Sequence, residues 1–184
     1  MLLSAPRSLL LVVDVQQRLA PAMAGLDRLL ANLTILLRAA HGLGVPVIAS
    51  EQYPRGLGPT LPEIAPLLAP DHATPEVVEK LHFSCAAEPG FADRLAAQGR
   101  DQIVIAGIEA HVCVLQTALE LRAAERNVFV VADACASRTQ ANAELAFSRL
   151  GRNDVELVST EMVLFEWLQR AGTPAFKTLS PLVR

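Results

Sequence analysis

The sequence is poor in aromatic residues and lacks any apolar run long enough to span a membrane. Phe, Trp and Tyr make up 4% of its 184 residues while hydrophobic residues make up 52%, so the core must be built from Ala, Leu, Val and Ile. The longest apolar stretches, such as Leu9 to Val13, are far shorter than the ~20 residues of a transmembrane helix. No signal-peptide cleavage pattern follows the first run. We therefore expect a soluble, cytoplasmic protein with no membrane partner.

The composition also offers neither a basic surface nor paired cysteines. Sixteen Lys and Arg are outnumbered by 19 Asp and Glu, giving a net charge of −3, and the charges are spread along the chain rather than gathered into a basic stripe. The three cysteines, Cys85, Cys113 and Cys135, are odd in number and far apart, which argues against a disulfide framework or a zinc ribbon. We expect no nucleic-acid partner and a reducing compartment.

Short aliphatic runs alternate with amphipathic patterns along the whole chain. The runs predict strands at Leu9 to Val13, Val45 to Ala49, Val77 to Lys80 (the weakest), Ile103 to Ala106, Val128 to Ala132 and Val155 to Val158. Apolar spacings of three and four predict helices at Leu26 to Leu43, Phe91 to Gln98, Val114 to Ala124, Ala141 to Leu150 and Glu161 to Gln169. The alternation predicts an α/β fold in three layers, Rossmann-like, with a mostly parallel sheet of about six strands and helices on both faces. We expect one domain over residues 1–184, with its ligand site at the carboxyl ends of the strands.

A proline-rich segment from Glu51 to Pro75 interrupts this alternation. Its many prolines and glycines predict a long structured loop, with at most a short helix near Leu61 to Leu68. Loops of this length inside a compact domain are usually functional.

Cys113 is the best candidate for a nucleophile. It follows the predicted strand Ile103 to Ala106 and a turn at Gly107, at the start of a helix, where unpaired amides and the helix dipole favour a thiolate. The alternative is a small buried hydrophobe, since free cysteines are among the most buried residues.

Asp14 and Lys80 are polar residues at the ends of two other predicted strands. Asp14 directly follows an aliphatic run, where a carboxylate next to the core suits base chemistry, although it could also cap the following turn. Lys80 could stabilise a thiolate and orient an amide or carboxyl substrate, although most lysines simply lie at the surface. If the fold is correct, both meet Cys113 and form an acid/base-assisted nucleophile.

Three segments together resemble the isochorismatase-like cysteine hydrolase superfamily, which includes nicotinamidases and N-carbamoylsarcosine amidohydrolase. They are Val12 to Gln17, the Lys80 segment, and Gly107 to Val114 followed by Gln116 to Ala118. The run Glu51-Gln52-Tyr53-Pro54-Arg55-Gly56-Leu57-Gly58 looks like the branch named isochorismatase domain-containing proteins. The resemblance covers almost the whole chain and implies an isochorismatase-like fold.

The resemblance also implies roles for these residues. Cys113 would be the nucleophile, Asp14 the general base and then acid, and Lys80 the third member of a catalytic triad. A non-proline cis peptide would join Ile108 and Glu109 and would aim the amides of Glu109 and Cys113 into an oxyanion hole.

One feature of nicotinamidases is absent. Their metal site uses an aspartate and closely spaced histidines after the second strand, but the matching segment here, Ala49 to Gly58, contains no histidine. The four histidines, His41, His72, His82 and His111, are scattered. We therefore expect no metal and no cofactor, and an activity other than that of nicotinamidase. Isochorismatase cleaves a vinyl ether and its relatives that do so can lack the cysteine, so Cys113 points away from that reaction.

The substrate pocket is expected to draw on residues near strand ends and in the long loop, namely Gln17, Glu51, Gln52, Tyr53, Phe83, His111 and Val112. For His111, binding substrate and satisfying nearby backbone groups are equally open. We expect Cys85 and Cys135 to pack in the core and Trp167 to serve the core or a subunit contact.

Two classes of function remain. The first is a metal-independent cysteine hydrolase, an amidohydrolase that cleaves a small carboxamide, ureido or related C–N substrate through a Cys113 thioester. The second is a non-catalytic member of the family that binds a small molecule or serves in assembly. A dinucleotide-binding domain is disfavoured because no G-x-G-x-x-G loop follows a strand. Relatives form oligomers, so we expect a homo-oligomer, with Val114 to Leu121 or Met162 to Leu168 supplying the interface.

Overall fold

A parallel sheet of six strands forms the centre of the described structure. The computed structural model describes residues 1–69 and 73–183, so His72 and a short part of the proline-rich loop lie outside the described residues. The strands are β1 (Ser8–Val13), β2 (Val47–Gln52), β3 (Glu76–Lys80), β4 (Gln102–Ile108), β5 (Asn127–Ala136) and β6 (Glu156–Val158). Their order is β3-β2-β1-β4-β5-β6, and all neighbours are parallel. The order reverses between β1 and β4, which is where such sheets open a crevice for a ligand.

Helices cover both faces of this sheet. They are α1 (Leu26–Gly42), α2 (Pro54–Leu57), α3 (Phe91–Ala97), α4 (Leu115–Ala123), α5 (Gln140–Gly151), α6 (Thr160–Leu168) and α7 (Pro174–Leu179). Buried side chains of α1, α6 and α7 pack on one face, and those of α3, α4 and α5 pack on the other. The predicted three-layer, Rossmann-like α/β class is therefore confirmed. No helix within residues 1–69 or 73–183 is long and apolar enough to cross a membrane.

Strand β1 shows why the core needs few aromatic rings. Leu10 and Val12 face one helical layer, whereas Leu9, Leu11 and Val13 face the other, and each is at most 1% exposed. A strand buried on both faces has no polar side, so it reads as an unbroken aliphatic run. Each such side chain contributes about 1.5–3 kcal/mol on burial.

The residues predicted to pack in the core do so. Cys85 and Cys135 are buried with free thiols among the described residues. Trp167 is also buried in the core, and its indole N–H donates to Ser8 Oγ at 2.9 Å.

Element boundaries differ from the predictions where tertiary contacts decide them. Val45 does not begin β2, because its N–H donates to Ala40 O at 2.8 Å and closes the end of α1. β5 continues to Ala136 because a bulge lets its last residues pair with the end of β4. Two short helices, α2 and α7, were not predicted. The latter begins at Pro174, with the Thr173 hydroxyl accepting a bond from the N–H of Phe176 at 3.0 Å.

Candidate active site

Asp14, Lys80 and Cys113 lie together at the carboxyl edge of the sheet. Asp14 directly follows β1, Lys80 is the last residue of β3, and Cys113 lies in a π-helical turn, Ala110–Val114, between β4 and α4. Because all the strands are parallel, their carboxyl ends share one edge, which is how residues far apart in the sequence meet.

A buried ion pair joins Asp14 and Lys80. Lys80 Nζ lies 2.8 Å from Asp14 Oδ2, and neither side chain is exposed to solvent. The other carboxylate oxygen, Oδ1, accepts a bond from Ser50 Oγ at 2.7 Å. Burial by itself lowers the pKa of Lys80, whereas the negative charge of the Asp14 carboxylate and its hydrogen bond with the ammonium raise it, and the pKa is raised overall. Lys80 is therefore held as a cation.

Lys80 has further partners. Its Nζ donates to Gln52 Oε1 at 2.6 Å, to Phe83 O at 3.0 Å and to His82 O at 3.3 Å. With Asp14, these make four acceptors for the three hydrogens of an ammonium group. Each N–H group of the Lys80 ammonium thus has an acceptor within the protein.

Cys113 is almost completely buried beside this ion pair. Burial raises the pKa of its thiol well above the ordinary value, the adjacent Asp14 carboxylate raises it further, and Lys80 lowers it only in part. The helix start and Lys80 were predicted to favour the thiolate, but burial acts in the opposite direction and has a larger effect on this pKa than Lys80. Asp14 is the carboxylate adjacent to that sulfur.

Gly107 allows β4 to approach β1 closely enough to build this site. Its φ is +128°, and an added Cβ would lie 2.1 Å from Val13 O and 2.7 Å from Val13 N. Any side chain here would collide with the backbone that leads to Asp14. Glycine at this position therefore follows from the close contact between the two strands.

The turn that carries Cys113 is fixed from both sides. The Ile108–Glu109 peptide bond is cis, at the predicted position. The Glu109 carboxylate accepts three bonds from Arg138, from Nε and the backbone N–H at 3.0 Å each and from Nη2 at 2.6 Å. Burial alone raises the pKa of Glu109, but the Arg138 contacts hold it below its usual range. The Glu109 side chain is thus a carboxylate bound to Arg138. Its backbone amide is the group predicted to contribute to an oxyanion hole.

His111 is engaged with its neighbours. Its Nδ1 lies 2.9 Å from Ser137 Oγ, and its Nε2 lies 3.4 Å from Asn142 Nδ2. Both of these ring contacts are to side chains. The two roles left open by the sequence were to satisfy backbone groups and to bind substrate; these contacts are to side chains, and the substrate role stays a prediction.

The remaining predicted pocket residues fall into two groups. Gln52 belongs to the buried network, and Glu51 is used by the loop, because its Oε1 accepts bonds from Thr60 N and Oγ1 at 2.7 and 2.8 Å. The others lie at or near the surface: Tyr53 and Phe83 are about half exposed, Val112 is partly buried, and Gln17 is exposed with its N–H donating to Pro59 O.

Two residues of the network were not predicted, namely Gln16 and Ser50. Gln16 is fully buried and bonds to the backbone of Gln52 on both sides. Strand alternation gives no signal for Gln16 over Gln17, because the chain leaves the extended conformation at Asp14, where φ is +51°. Ser50 follows the aliphatic run of β2 as Asp14 follows that of β1.

Metal-ligating side chains are dispersed in this structure. Within residues 1–69 and 73–183, no three His, Cys, Asp or Glu side chains are grouped so as to hold a metal ion.

A model of the isochorismatase domain matches residues 8–162. The chain belongs to the isochorismatase family. Members of this family are hydrolases. Isochorismatase domain-containing protein 2 from Danio rerio is 35% identical over 181 residues, which cover 98% of this chain and 89% of that protein. The resemblance seen in the sequence motifs is therefore confirmed.

Solved structures of the isochorismatase family share the same fold. MAR1 ribonuclease from Caenorhabditis elegans is 31% identical and superposes with a TM-score of 0.92 over 100% of this chain and 92% of that one. The YcaC gene product of Escherichia coli, described as an octameric hydrolase of unknown specificity, has a TM-score of 0.90 at 23% identity over 99% of this chain and 90% of that one. The isochorismatase-like fold class is thus confirmed.

Proposed function

We propose that this protein is a metal-independent cysteine hydrolase that cleaves a small carboxamide, ureido or related C–N substrate. The observation that carries the proposal is the buried Asp14–Lys80 ion pair whose charges act directly on the Cys113 thiol. A carboxylate that can take a proton, a cation that stays charged and a sulfur nucleophile are the components that acyl transfer through a thioester requires. The three groups lie in one domain formed by residues 1–184.

The first half of the reaction forms the thioester. Asp14 takes the proton of the Cys113 thiol as the sulfur attacks the carbonyl carbon, and a new C–S bond forms while the carbonyl oxygen becomes an oxyanion. The amides of Glu109 and Cys113 stabilise that charge, a contribution of about 3 kcal/mol for each well-placed donor. The C–N bond then breaks, the nitrogen takes the proton back from Asp14, and ammonia or an amine leaves.

The second half regenerates the enzyme. Asp14, again a carboxylate, removes a proton from a water molecule as its oxygen attacks the thioester carbon. The C–S bond breaks, the sulfur recovers the proton, and the acid is released. Lys80 holds Asp14 in place and, as a fixed positive charge, offsets part of the negative charge that develops on the sulfur.

An amide panel with a cysteine variant tests this proposal. Wild type is expected to release ammonia or amine from at least one member of a panel of small carboxamides and ureido compounds, and Cys113→Ala to lose at least ~10³-fold in kcat. Activity should be unchanged after treatment with EDTA. Cys135→Ala is the matched control, since Cys135 is a buried free thiol outside the triad.

Other outcomes separate the alternatives. Selective labelling of Cys113 by an electrophile without turnover of any compound would indicate a non-catalytic member that only binds small molecules. Equal turnover by wild type and Cys113→Ala would refute the catalytic role. A relative is named a ribonuclease, and Cys113-dependent cleavage of RNA would overturn the small-amide proposal. The dispersed, net negative charge of this chain argues for a small molecule.

A homo-oligomer built through α6 is a further proposal. Met162 and Phe165 of this helix are 47% and 41% exposed, while Leu115, Ala118 and Leu121 of α4 face the core and are not available to a partner. A second copy is expected to cover the exposed side chains of α6. Light scattering of Phe165→Glu should then show a smaller particle than wild type.

We also propose a cytoplasmic location, since all three cysteines are free thiols.

A further inference from the structure

The Lys80 ammonium depends on one neutral side chain. Of its four acceptors, two are backbone carbonyls and one is the Asp14 carboxylate; the fourth is Gln52 Oε1, which is also the nearest at 2.6 Å. A buried ammonium that loses an acceptor loses part of the solvation that keeps it charged. The charge on Lys80 is therefore sensitive to where Gln52 places its oxygen.

The orientation of the Gln52 amide is determined by its own contacts. Its Nε2 donates to Leu81 O at 2.9 Å, and its Oε1 accepts from Lys80. A rotated amide would put its NH₂ group against the ammonium and its oxygen against a carbonyl. Only one of the two orientations satisfies both neighbours.

The backbone of Gln52 is held in turn by Gln16. The Oε1 of Gln16 accepts from the N–H of Gln52 at 2.8 Å, and its Nε2 donates to Gln52 O at 3.0 Å and to Gly58 O at 2.7 Å. β1 has already turned away at Asp14, where φ is +51°. The Gln16 amide replaces the missing strand, because it satisfies both the N–H and the C=O of Gln52, which two residues of a neighbouring parallel strand would otherwise bond.

We infer that Gln52 is a positioning residue that holds the Lys80 ammonium against Asp14, and that Gln16 holds Gln52 in that place. This inference rests on the proposed function for its catalytic meaning, but the arrangement itself acts on the Cys113 thiol. Gln52, which the sequence suggested as a substrate contact, acts through Lys80 instead.

The groups that face the thiol come from several elements. Asp14 at the end of β1 and Lys80 at the end of β3 carry the charges, and Cys85 in the loop after β3 adds a thiol whose pKa is raised by burial and which therefore stays neutral. On the turn of Cys113 itself, Glu109 is paired with Arg138 and His111 with Ser137. Lys80 is thus the cation that lowers the pKa of the Cys113 thiol against the effects of burial and of Asp14.

The test is the pH dependence of alkylation at Cys113, which needs no substrate. Iodoacetamide is added at a series of pH values, and the rate at the Cys113 peptide is followed by mass spectrometry, separately from Cys85 and Cys135. In Gln52→Leu the profile should move to higher pH by about one unit, since a less firmly held ammonium stabilises the thiolate less. Gln52→Met serves if the branched side chain prevents folding.

A matched control makes the same change elsewhere. Gln98 also uses its amide for one side-chain bond, to Glu76 Oε2 at 3.0 Å, but at the other end of β3. Gln98→Leu should leave the profile in place. A Gln52→Leu profile that coincides with wild type would overturn the inference, whether or not any amide is hydrolysed.

Once a substrate is known, kcat and KM of variants at Gln52 and Gln16 provide a second measurement. Gln52→Leu and Gln16→Leu should lower kcat roughly 10–100-fold, as loss of a supporting partner typically does, with KM changed little. A KM rise at constant kcat would show instead that Gln52 binds substrate. If no substrate is found, the proposed function fails while the alkylation result still decides the role of Gln52.

Discussion

The floor and the rim of the candidate site are built in opposite ways. The floor consists of Asp14, Lys80, Ser50 and Gln52, which lie on or directly after strands, are buried and bond to one another. The rim consists of Tyr53, Leu81 and Phe83, which lie on loops after β2 and β3 and are 52%, 70% and 55% exposed. The floor is thus held in place by its own hydrogen bonds, whereas the rim exposes apolar side chains.

The difference separates two tasks that an enzyme site combines. Groups that move protons need fixed distances and a dry environment, and these come from rigid strand ends. Groups that choose a substrate need accessible surface, and loops provide it. Changes in the floor should therefore affect stability and the thiol, while changes in the rim should affect only which molecule is bound.

The largest effect is expected at Gly107, which lies against the backbone of Val13, the residue before Asp14 of the floor. Gly107→Ala should lower the free energy of unfolding by about 4 kcal/mol, because the new Cβ meets the backbone of Val13 and the residue has a positive φ. Urea unfolding curves measure this. Gly44→Ala is the control: its φ is +68° but nothing lies within 4 Å of the added Cβ, so only about 1 kcal/mol should be lost. Similar losses for both variants would show that the close strand contact does not matter.

The second effect concerns the two charges beside the thiol, which should act in opposite directions. Burial raises the pKa of Cys113 most, Asp14 raises it next, and Lys80 lowers it. Asp14→Asn should therefore move alkylation of Cys113 to lower pH, and Lys80→Gln to higher pH, each by about one unit or more. Circular dichroism checks that both variants are folded. If the alkylation profiles of both variants moved in the same direction, the charges of Asp14 and Lys80 would not be the cause of the shift in the pKa of Cys113.

The smallest effect is expected in the rim. Phe83→Ala should change the free energy of unfolding by less than about 0.5 kcal/mol, since the ring is half exposed. It should raise KM several-fold for amides with a larger apolar group and leave kcat unchanged. Leu145→Ala, an exposed apolar residue on α5, is the control. Equal KM changes in both variants would mean that the rim does not touch substrate.

Much of the fold follows from one-dimensional patterns. Aliphatic runs and the glycines and prolines between them place six strands and the longer helices, because a sheet buried on both faces leaves few other ways to arrange them. The same runs put Asp14 and Lys80 at strand ends, which predicts that they meet.

Partners within the site were harder to predict. The choice of Gln17 over Gln16 required knowing how the chain turns after β1, and the pairing of Glu51 with Thr60 required knowing how the proline-rich loop folds. Burial raises the pKa of the Cys113 thiol by more than Lys80 lowers it, and the degree of burial could not be predicted from the sequence around Cys113. Such effects depend on three-dimensional neighbours that no local pattern records.

The ion pair joins residues that are 66 positions apart, and its neighbour Cys113 enters from a strand on the other side of β1. No single hairpin or helical unit contains the site. A cut in the segment between β3 and β4 would leave the carboxylate and the ammonium on one fragment and the sulfur on the other. Because burial in the assembled site raises the pKa of the Cys113 thiol, a shift of its alkylation to higher pH on mixing two such fragments would report directly on assembly of the whole sheet, so the site also serves as a sensor of complete folding.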